Sequence, residues 1–87
     1  MHKYMQELLP AFAYNKYAQS ATARTDNGIF WSYNTVIAVQ RYGTVYLSKN
    51  NYSVTTSRQQ NAIKEYFDNV IMVDKKTTRW DAEADLI

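Results

Sequence analysis

The chain of 87 residues has no cysteine, one proline, two glycines and one histidine. Without cysteine it can form no disulfide framework, no thiolate zinc site and no cysteine nucleophile. No purely apolar run exceeds the four residues of Val36–Val39, whereas a membrane-spanning helix needs about 20 apolar residues, so we expect no membrane span. The N-terminus shows no apolar signal-peptide core. We therefore expect the protein to stay in the cytoplasm.

Side chains that usually carry catalysis or bind metal do not converge in this sequence. His2 lies beside no acidic cluster, so a surface residue is the simpler interpretation. Asp81, Glu83 and Asp85 would share one face of a strand, but an acidic tail at 81–87 explains them equally well, because a chain terminus is a poor scaffold for metal. We expect no enzymatic activity, no cofactor and no metal site.

Composition and charge favour a small domain that works by binding. Hydrophobic residues make up 46% of the chain and aromatic residues 15%, which is enough for one packed core, so we expect a single domain over residues 1–87. Residues 16–64 carry six Lys or Arg against one acid, a net +5, whereas residues 65–87 carry three against six, a net −3. The basic part fits nucleic acid or an acidic protein, and it also fits an ordinary solvated surface.

Turn signals predict a sheet built from hairpins. Asn27-Gly28 is a strong type I′ signal because both residues accept positive φ, and Gly43 marks a second turn within 41–43. The pattern predicts four short antiparallel strands in two hairpins, at about residues 17–24, 29–33, 35–40 and 44–48. The third of these is apolar at successive positions and reads as a strand buried on both faces.

Two helices are predicted, one short and one long. Residues 2–9 carry a modest apolar stripe, and Pro10 disfavours helix before it, so we expect a short N-terminal helix or a docking arm within 1–10. The main helix is expected at about 57–69, with its N-cap at Thr56 or Ser57 in a capping box. The segment that follows, 70–73, is a strand or a buried extended piece.

These elements predict an α+β fold, in which a small antiparallel sheet of about four strands has one main helix packed on a face. The expected core is the set of apolar residues at strand or helix spacing: Val36, Ala38, Val45, Leu47, Ile63, Tyr66, Phe67, Ile71 and Val73.

Aromatic residues exceed what one small core needs. One helix covers only one face of a sheet, so part of the other face should be exposed, where tyrosine and arginine are common contact residues. The predicted partner-binding surface comprises Tyr33, Arg41, Tyr42, Tyr46, Lys49 and Tyr52. A second copy of the chain, giving a homodimer, or residues 70–80 folding back would also cover this face.

Two strings resemble a family of short phage-borne domains of unknown function: Ser32-Tyr33-Asn34-Thr35 and Thr55-Thr56-Ser57-Arg58. Residues 12–18 are similar to an aromatic strand of that family, and the resemblance covers about residues 12–67. It implies a phage origin and a sheet followed by a helix, and it implies no activity. Both strings are also explained by turn and cap formation, so they can encode fold and not function.

Two functions follow as hypotheses. The first is a small phage protein that binds and modulates a host protein, in its sharpest form an inhibitor of a bacterial defence system of the anti-CRISPR kind. The alternative is a nucleic-acid-binding accessory domain that uses a basic, tyrosine-rich sheet, with anion contacts from Arg24, Arg41 and Arg58.

Overall fold

The computed structural model of the chain describes residues 3–49 and 53–73. The elements in chain order are α1 (Lys3–Ala13), β1 (Ala18–Gln19), β2 (Ala23–Asp26), β3 (Ile29–Ser32), β4 (Thr35–Arg41), β5 (Thr44–Ser48), α2 (Val54–Tyr66) and β6 (Val70–Val73). The six strands form one sheet in sequence order, antiparallel throughout except for the parallel pair of β5 and β6. The α+β class is confirmed, but the sheet is mixed and has six strands where about four antiparallel strands were expected.

The hairpin turns follow the sequence signals closely. Asn27 and Gly28 have φ of 51° and 80°, and Tyr42 and Gly43 have φ of 53° and 82°, so both residues of each turn are left-handed as a type I′ turn requires. Arg41 belongs to β4 and not to the turn. Both hairpins therefore close on the predicted residues.

The predicted strand 17–24 is divided into two strands by a turn. The Ser20 backbone N–H donates to the Ala23 carbonyl at 2.7 Å, and the Ala23 N–H donates to the Ser20 hydroxyl at 3.2 Å. A serine hydroxyl that bonds the nearby backbone competes with an extended ladder. The chain therefore reverses after Gln19, and β1 pairs with β2.

A bulge in β4 decides which of its side chains meet the helices. Phe30 pairs with Ala38 whereas the next residue, Trp31, pairs with Val36, so Ile37 is the extra residue. Ile37 and Ala38 both join the helix-side core, and Val36 and Val39 lie on the other face. All four are buried, as expected for this strand.

Helix α1 passes through Pro10 and ends at Ala13, so the predicted stop at Pro10 is wrong, and so is the strand that the resemblance implied for residues 12–18. The proline leaves the Gln6 carbonyl without its helical donor, and Gln6 lies on the exposed side, where water can replace that donor. Extending the helix buries Phe12 completely. Burial of one aromatic side chain stabilises by about 1.5–3 kcal/mol, which offsets the proline defect.

Helix α2 begins and ends three residues earlier than predicted. Its N-cap is Ser53, whose hydroxyl accepts from the Thr56 backbone N–H at 3.2 Å, so the predicted caps at Thr56 and Ser57 are wrong. This register places the Thr56 hydroxyl 2.7 Å from the buried Ser32 hydroxyl. A buried hydroxyl pair outweighs a local capping preference because unpaired buried hydroxyls are costly.

The main core lies between the sheet and the two helices. It comprises the buried residues Met5, Leu8, Leu9, Phe12, Ala23, Phe30, Ile37, Ala38, Val45, Leu47 and Ile63. Of the expected core, Val36, Ala38, Val45, Leu47 and Ile63 are buried. Phe67 and Val73 are only half-buried, and Tyr66 and Ile71 are exposed, so those two assignments are wrong. Among the described residues, no helix is long and apolar enough to cross a membrane.

Candidate partner-binding surface

The sheet has a second apolar cluster on the face opposite α1 and α2, which we name the helix-free face. Val36 and Val39 are buried there, and the half-buried residues around them are Ile29, Trp31, Tyr46 and Val73. In the described ranges every residue of this cluster comes from a strand. Strand alternation adds Arg24 and Arg41 to the same face. The helix-free face therefore combines apolar, aromatic and cationic side chains.

Arg24 and Trp31 form a cation–π pair on this face. The guanidinium carbon of Arg24 lies 4.3 Å from the centroid of the Trp31 ring, and the two residues are directly paired across β2 and β3. Such a pair contributes about 0.5–1 kcal/mol at an exposed site. Trp31 was not among the predicted contact residues, although its place in an alternating aromatic strand could have identified it.

Tyr46 points away from Val45 and Leu47, as strand alternation predicted. It lies opposite Val39 and is half-buried against the apolar cluster of the helix-free face. Tyr46 is therefore only partly accessible to a partner.

A polar cleft of about 550 Å³ opens where α1 ends and two hairpin turns meet, and we name it the turn cleft. Its lining residues are Ala13, Asn15, Asn27, Gln40, Arg41, Tyr42 and Gly43. Tyr42 is fully exposed at the tip of the β4–β5 turn. The cleft thus has a polar wall and one projecting aromatic ring.

Gln40 holds the wall of the turn cleft together. It is buried, and its amide nitrogen donates to the Ala13 carbonyl at 3.0 Å and to Asn15 Oδ1 at 2.9 Å. Its amide oxygen accepts from the Gly43 N–H at 3.3 Å. One side chain therefore ties the end of α1 to the β4–β5 turn. Neither Gln40 nor Asn15 was predicted, because a glutamine at the end of an apolar strand gives no signal in the sequence.

Arg41 forms the other side of the turn cleft. Its Nη1 donates to the Gln40 carbonyl at 2.9 Å, and the residue is half-buried. A Cβ added to Gly28 would lie 3.2 Å from this Nη1, so the guanidinium is packed closely on the β2–β3 turn. Arg41 and Tyr42 are the two predicted contact residues that the structure brings together in one cleft.

Tyr33 lies at the opposite end of β4 from Tyr42. It is 54% exposed with φ of 55°, and its N–H donates to the Thr22 carbonyl at 2.8 Å. It borders a smaller cleft of about 250 Å³. Seven residues of β4 separate the two tyrosines, which is about 20 Å of strand. A single compact contact patch does not include both.

The remaining predicted residues do not gather at the turn cleft. Lys49 is exposed and follows β5 at the end of the sheet where Tyr33 lies. Tyr52 lies outside the described residues, as do His2 and the acidic tail at 81–87. Within the described ranges, no group of three or more His, Cys, Asp or Glu side chains is placed to hold a metal ion.

The three arginines of the nucleic-acid hypothesis are divided between two sides. Arg24 and Arg41 share the helix-free face, whereas Arg58 is exposed on α2, which packs against the other face. The hydroxyl of Thr56 near the start of α2 is bonded to Ser32 and Ser53. The Thr56 hydroxyl is therefore already hydrogen-bonded within the protein.

The two strings that carried the resemblance meet in the core. Ser32 from the first string and Thr56 from the second share a buried hydrogen bond of 2.7 Å, which joins the end of β3 to the first turn of α2. Next to it, Gln59 donates to the Tyr4 hydroxyl at 3.2 Å and to the Thr22 hydroxyl at 3.3 Å. These contacts hold α1, α2 and the sheet in place, so Ser32 and Thr56 serve the fold.

Comparison with known proteins gives a family and no activity. No curated protein and no solved structure matches the chain. The model of DUF8033, a family of unknown function, matches residues 6–80, a range that includes α1 from its fourth residue onward, all six strands, α2 and the turn cleft. Since the match extends over most of the 87 residues, the chain belongs to this family of unknown function.

Proposed function

We propose that the chain is a small binding protein that contacts a protein partner through the turn cleft and its projecting residue Tyr42. The observation that supports this is the conformation of Tyr42, which is fully exposed with φ of 53°. Left-handed backbone costs about 1–2 kcal/mol for a residue with a side chain, and asparagine or glycine tolerates it better. Tyr42 gains no burial in return, so folding does not account for a tyrosine at this position.

Tyrosine at an exposed turn tip suits protein recognition. Its ring offers a large apolar area with few rotatable bonds, and tyrosine and arginine are enriched among residues that dominate binding energy. Gln40 cross-links the cleft wall to α1, and Arg41 is packed on the β2–β3 turn. A cleft wall that is held in place before binding loses little conformational entropy when the partner docks.

The narrower proposal concerns the partner. The small size of the chain and the resemblance of its two strings to phage-borne domains support a phage protein that acts on a host protein in the host cytoplasm. The sharpest form is inhibition of a bacterial defence system of the anti-CRISPR kind. We propose no enzymatic step and no cofactor for this role.

Tyr42→Asn is expected to weaken partner binding by about tenfold or more, as loss of a contact tyrosine does, and to leave the melting temperature unchanged or higher. Tyr33→Asn is the matched control and should leave the affinity unchanged. It removes an exposed tyrosine with a similar left-handed φ, but at the other end of β4 from the turn cleft. The partner is captured from host extract with the tagged native chain, and the affinity of each variant for it is measured by calorimetry. Equal affinities for the native chain and Tyr42→Asn would contradict the proposed surface.

A second candidate function is nucleic-acid binding through the helix-free face. The observation that favours it is the Arg24–Trp31 pair, which places a cation and an aromatic ring on the same sheet face as Arg41 and Tyr46. Aromatic rings stack on bases and arginine contacts phosphate, which is how sheet surfaces bind single strands.

If this candidate is right, two phosphate contacts predict an affinity for single-stranded oligonucleotides that falls about tenfold between about 50 and 200 mM salt. Arg24→Glu and Arg41→Glu should each reduce binding, whereas Arg58→Glu on the helix side should not. Fluorescence anisotropy measures all three variants. Absence of binding at low salt, or an equal effect of Arg58→Glu, would count against this candidate.

A further inference from the structure

Strand β6 forms one edge of the described sheet and is made only of apolar residues, Val70-Ile71-Met72-Val73. Ile71 is 46% exposed and Met72 is 40% exposed, and Tyr66 at the end of α2 is 46% exposed. Soluble proteins usually protect a sheet edge with charge, proline or a very short strand. The other edge follows this rule, since β1 has two residues and Gln19 is exposed, but β6 does not.

The hydrogen bonds to β5 show which backbone groups of β6 point outward. The Asn69 carbonyl accepts from the Val45 N–H and the Val73 carbonyl accepts from the Lys49 N–H, each at 2.9 Å. In a parallel pair, alternate residues turn their N–H and C=O to the neighbour. Residues 69, 71 and 73 therefore face β5, and Val70 and Met72 direct both backbone groups away from the sheet.

We propose that β6 pairs antiparallel with β6 of a second copy of this chain, across a two-fold axis that passes beside Ile71. In that register Val70 lies opposite the second copy's Met72, and Met72 lies opposite the second copy's Val70. Each of these two pairs exchanges two hydrogen bonds, so all four outward groups of each strand are satisfied. The same surface serves both copies, as a two-fold interface requires.

The chemistry of the edge favours a second copy as the occupant. The four residues of β6 carry no charge, so pairing them with the same four residues of a second copy brings no like charges together. Ile71 lies beside Tyr46 on the helix-free face, and its contact with the second copy's Ile71 joins the two helix-free faces into one continuous surface. Met72 lies beside Leu47 on the helix side, where it lies opposite the second copy's Val70. Pairing therefore covers the exposed side chains on both faces of the edge.

Size-exclusion chromatography with light scattering on the 87-residue chain tests this interface. The native chain is expected at twice its monomer mass over a range of concentrations. Ile71→Lys and Ile71→Glu should each give a folded monomer, because the two-fold axis sets like charges against each other. An equal mixture of the two variants should restore the dimer mass, because lysine then faces glutamate. Tyr17→Lys, which replaces an exposed residue next to β1, should stay dimeric.

Three results would overturn the proposal. The first is a native chain that stays monomeric at every concentration. Slow hydrogen exchange of the Val70 and Met72 amides in such a monomer would show that another part of the same chain covers the edge. The second is a dimer that Ile71→Lys leaves intact, which places the interface elsewhere. The third is a mixture of Ile71→Lys and Ile71→Glu that stays monomeric while both variants remain folded by circular dichroism.

Discussion

Phe12→Ala is expected to lower the free energy of unfolding by about 3–5 kcal/mol, the usual cost of truncating a buried phenylalanine. Phe12 is completely buried, and its ring makes edge-to-face contacts with Phe30 at 5.7 Å and Phe67 at 5.6 Å between centroids. Its position in the last turn of α1 means that truncation leaves a cavity where both helices meet the sheet. Urea unfolding followed by circular dichroism measures the change.

Two other aromatic truncations calibrate this result. Phe67 is only half-buried at the end of α2, so Phe67→Ala should cost less than Phe12→Ala. Tyr14 is exposed just after α1, and Tyr14→Ala should change stability by no more than about 0.5 kcal/mol. A Phe12→Ala chain as stable as the Tyr14→Ala chain would mean that α1 does not pack on the sheet through this residue.

Gly28→Ala is expected to destabilise the fold by about 2–5 kcal/mol. About 1–2 kcal/mol comes from placing a side chain on left-handed backbone, and about 1–3 kcal/mol comes from overpacking. The added Cβ would lie 2.7 Å from Asn15 Oδ1 and 3.0 Å from the Gln40 carbonyl oxygen. The substitution therefore separates α1 from the β2–β3 turn and opens the turn cleft.

Gly43→Ala is the matched control for Gly28→Ala. Gly43 has φ of 82°, nearly the 80° of Gly28, but a Cβ there would meet no atom within 4 Å. It should therefore cost only the backbone part, about 1–2 kcal/mol. The difference between the two melting temperatures reports the close approach around Gly28. Equal losses of stability in the two variants would show that Asn15 and the Gln40 carbonyl move away from the added Cβ at no cost in free energy.

Short-range signals predicted the turns and much of the sheet correctly. Asn27-Gly28 and Gly43 mark tight turns because positive φ is a local property of these residue types. The class of fold follows from the same signals. Of the two extra strands, β1 has only two residues and was hidden within the predicted strand 17–24. Residues 70–73 were expected as a strand or a buried extended piece, but their parallel pairing with β5, 25 residues earlier in the chain at Val45 and Val70, gives no signal in the sequence.

The helix boundaries show where local preference is overruled. Pro10 favours a helix end, yet α1 continues until Phe12 is buried. The capping box favours a start at Thr56 or Ser57, yet α2 starts after Ser53 so that Thr56 can reach Ser32. In both places a contact between residues far apart in sequence is worth more than the local signal that opposes it.

The features of the candidate surface also fall into those that local sequence predicts and those that depend on tertiary packing. Residue types alone predicted exposed tyrosines at turns and an outward Tyr46, because exposure at a tight turn and alternation in a strand are local. Only the tertiary structure decided that Tyr33 and Tyr42 lie at opposite ends of β4, and that Gln40 and Asn15 build a cleft beside Tyr42. The sequence by itself determined which segments turn and which extend. The packing of α1 against the sheet decided which of those segments share a surface, since burial joins residues without regard to their separation in the chain.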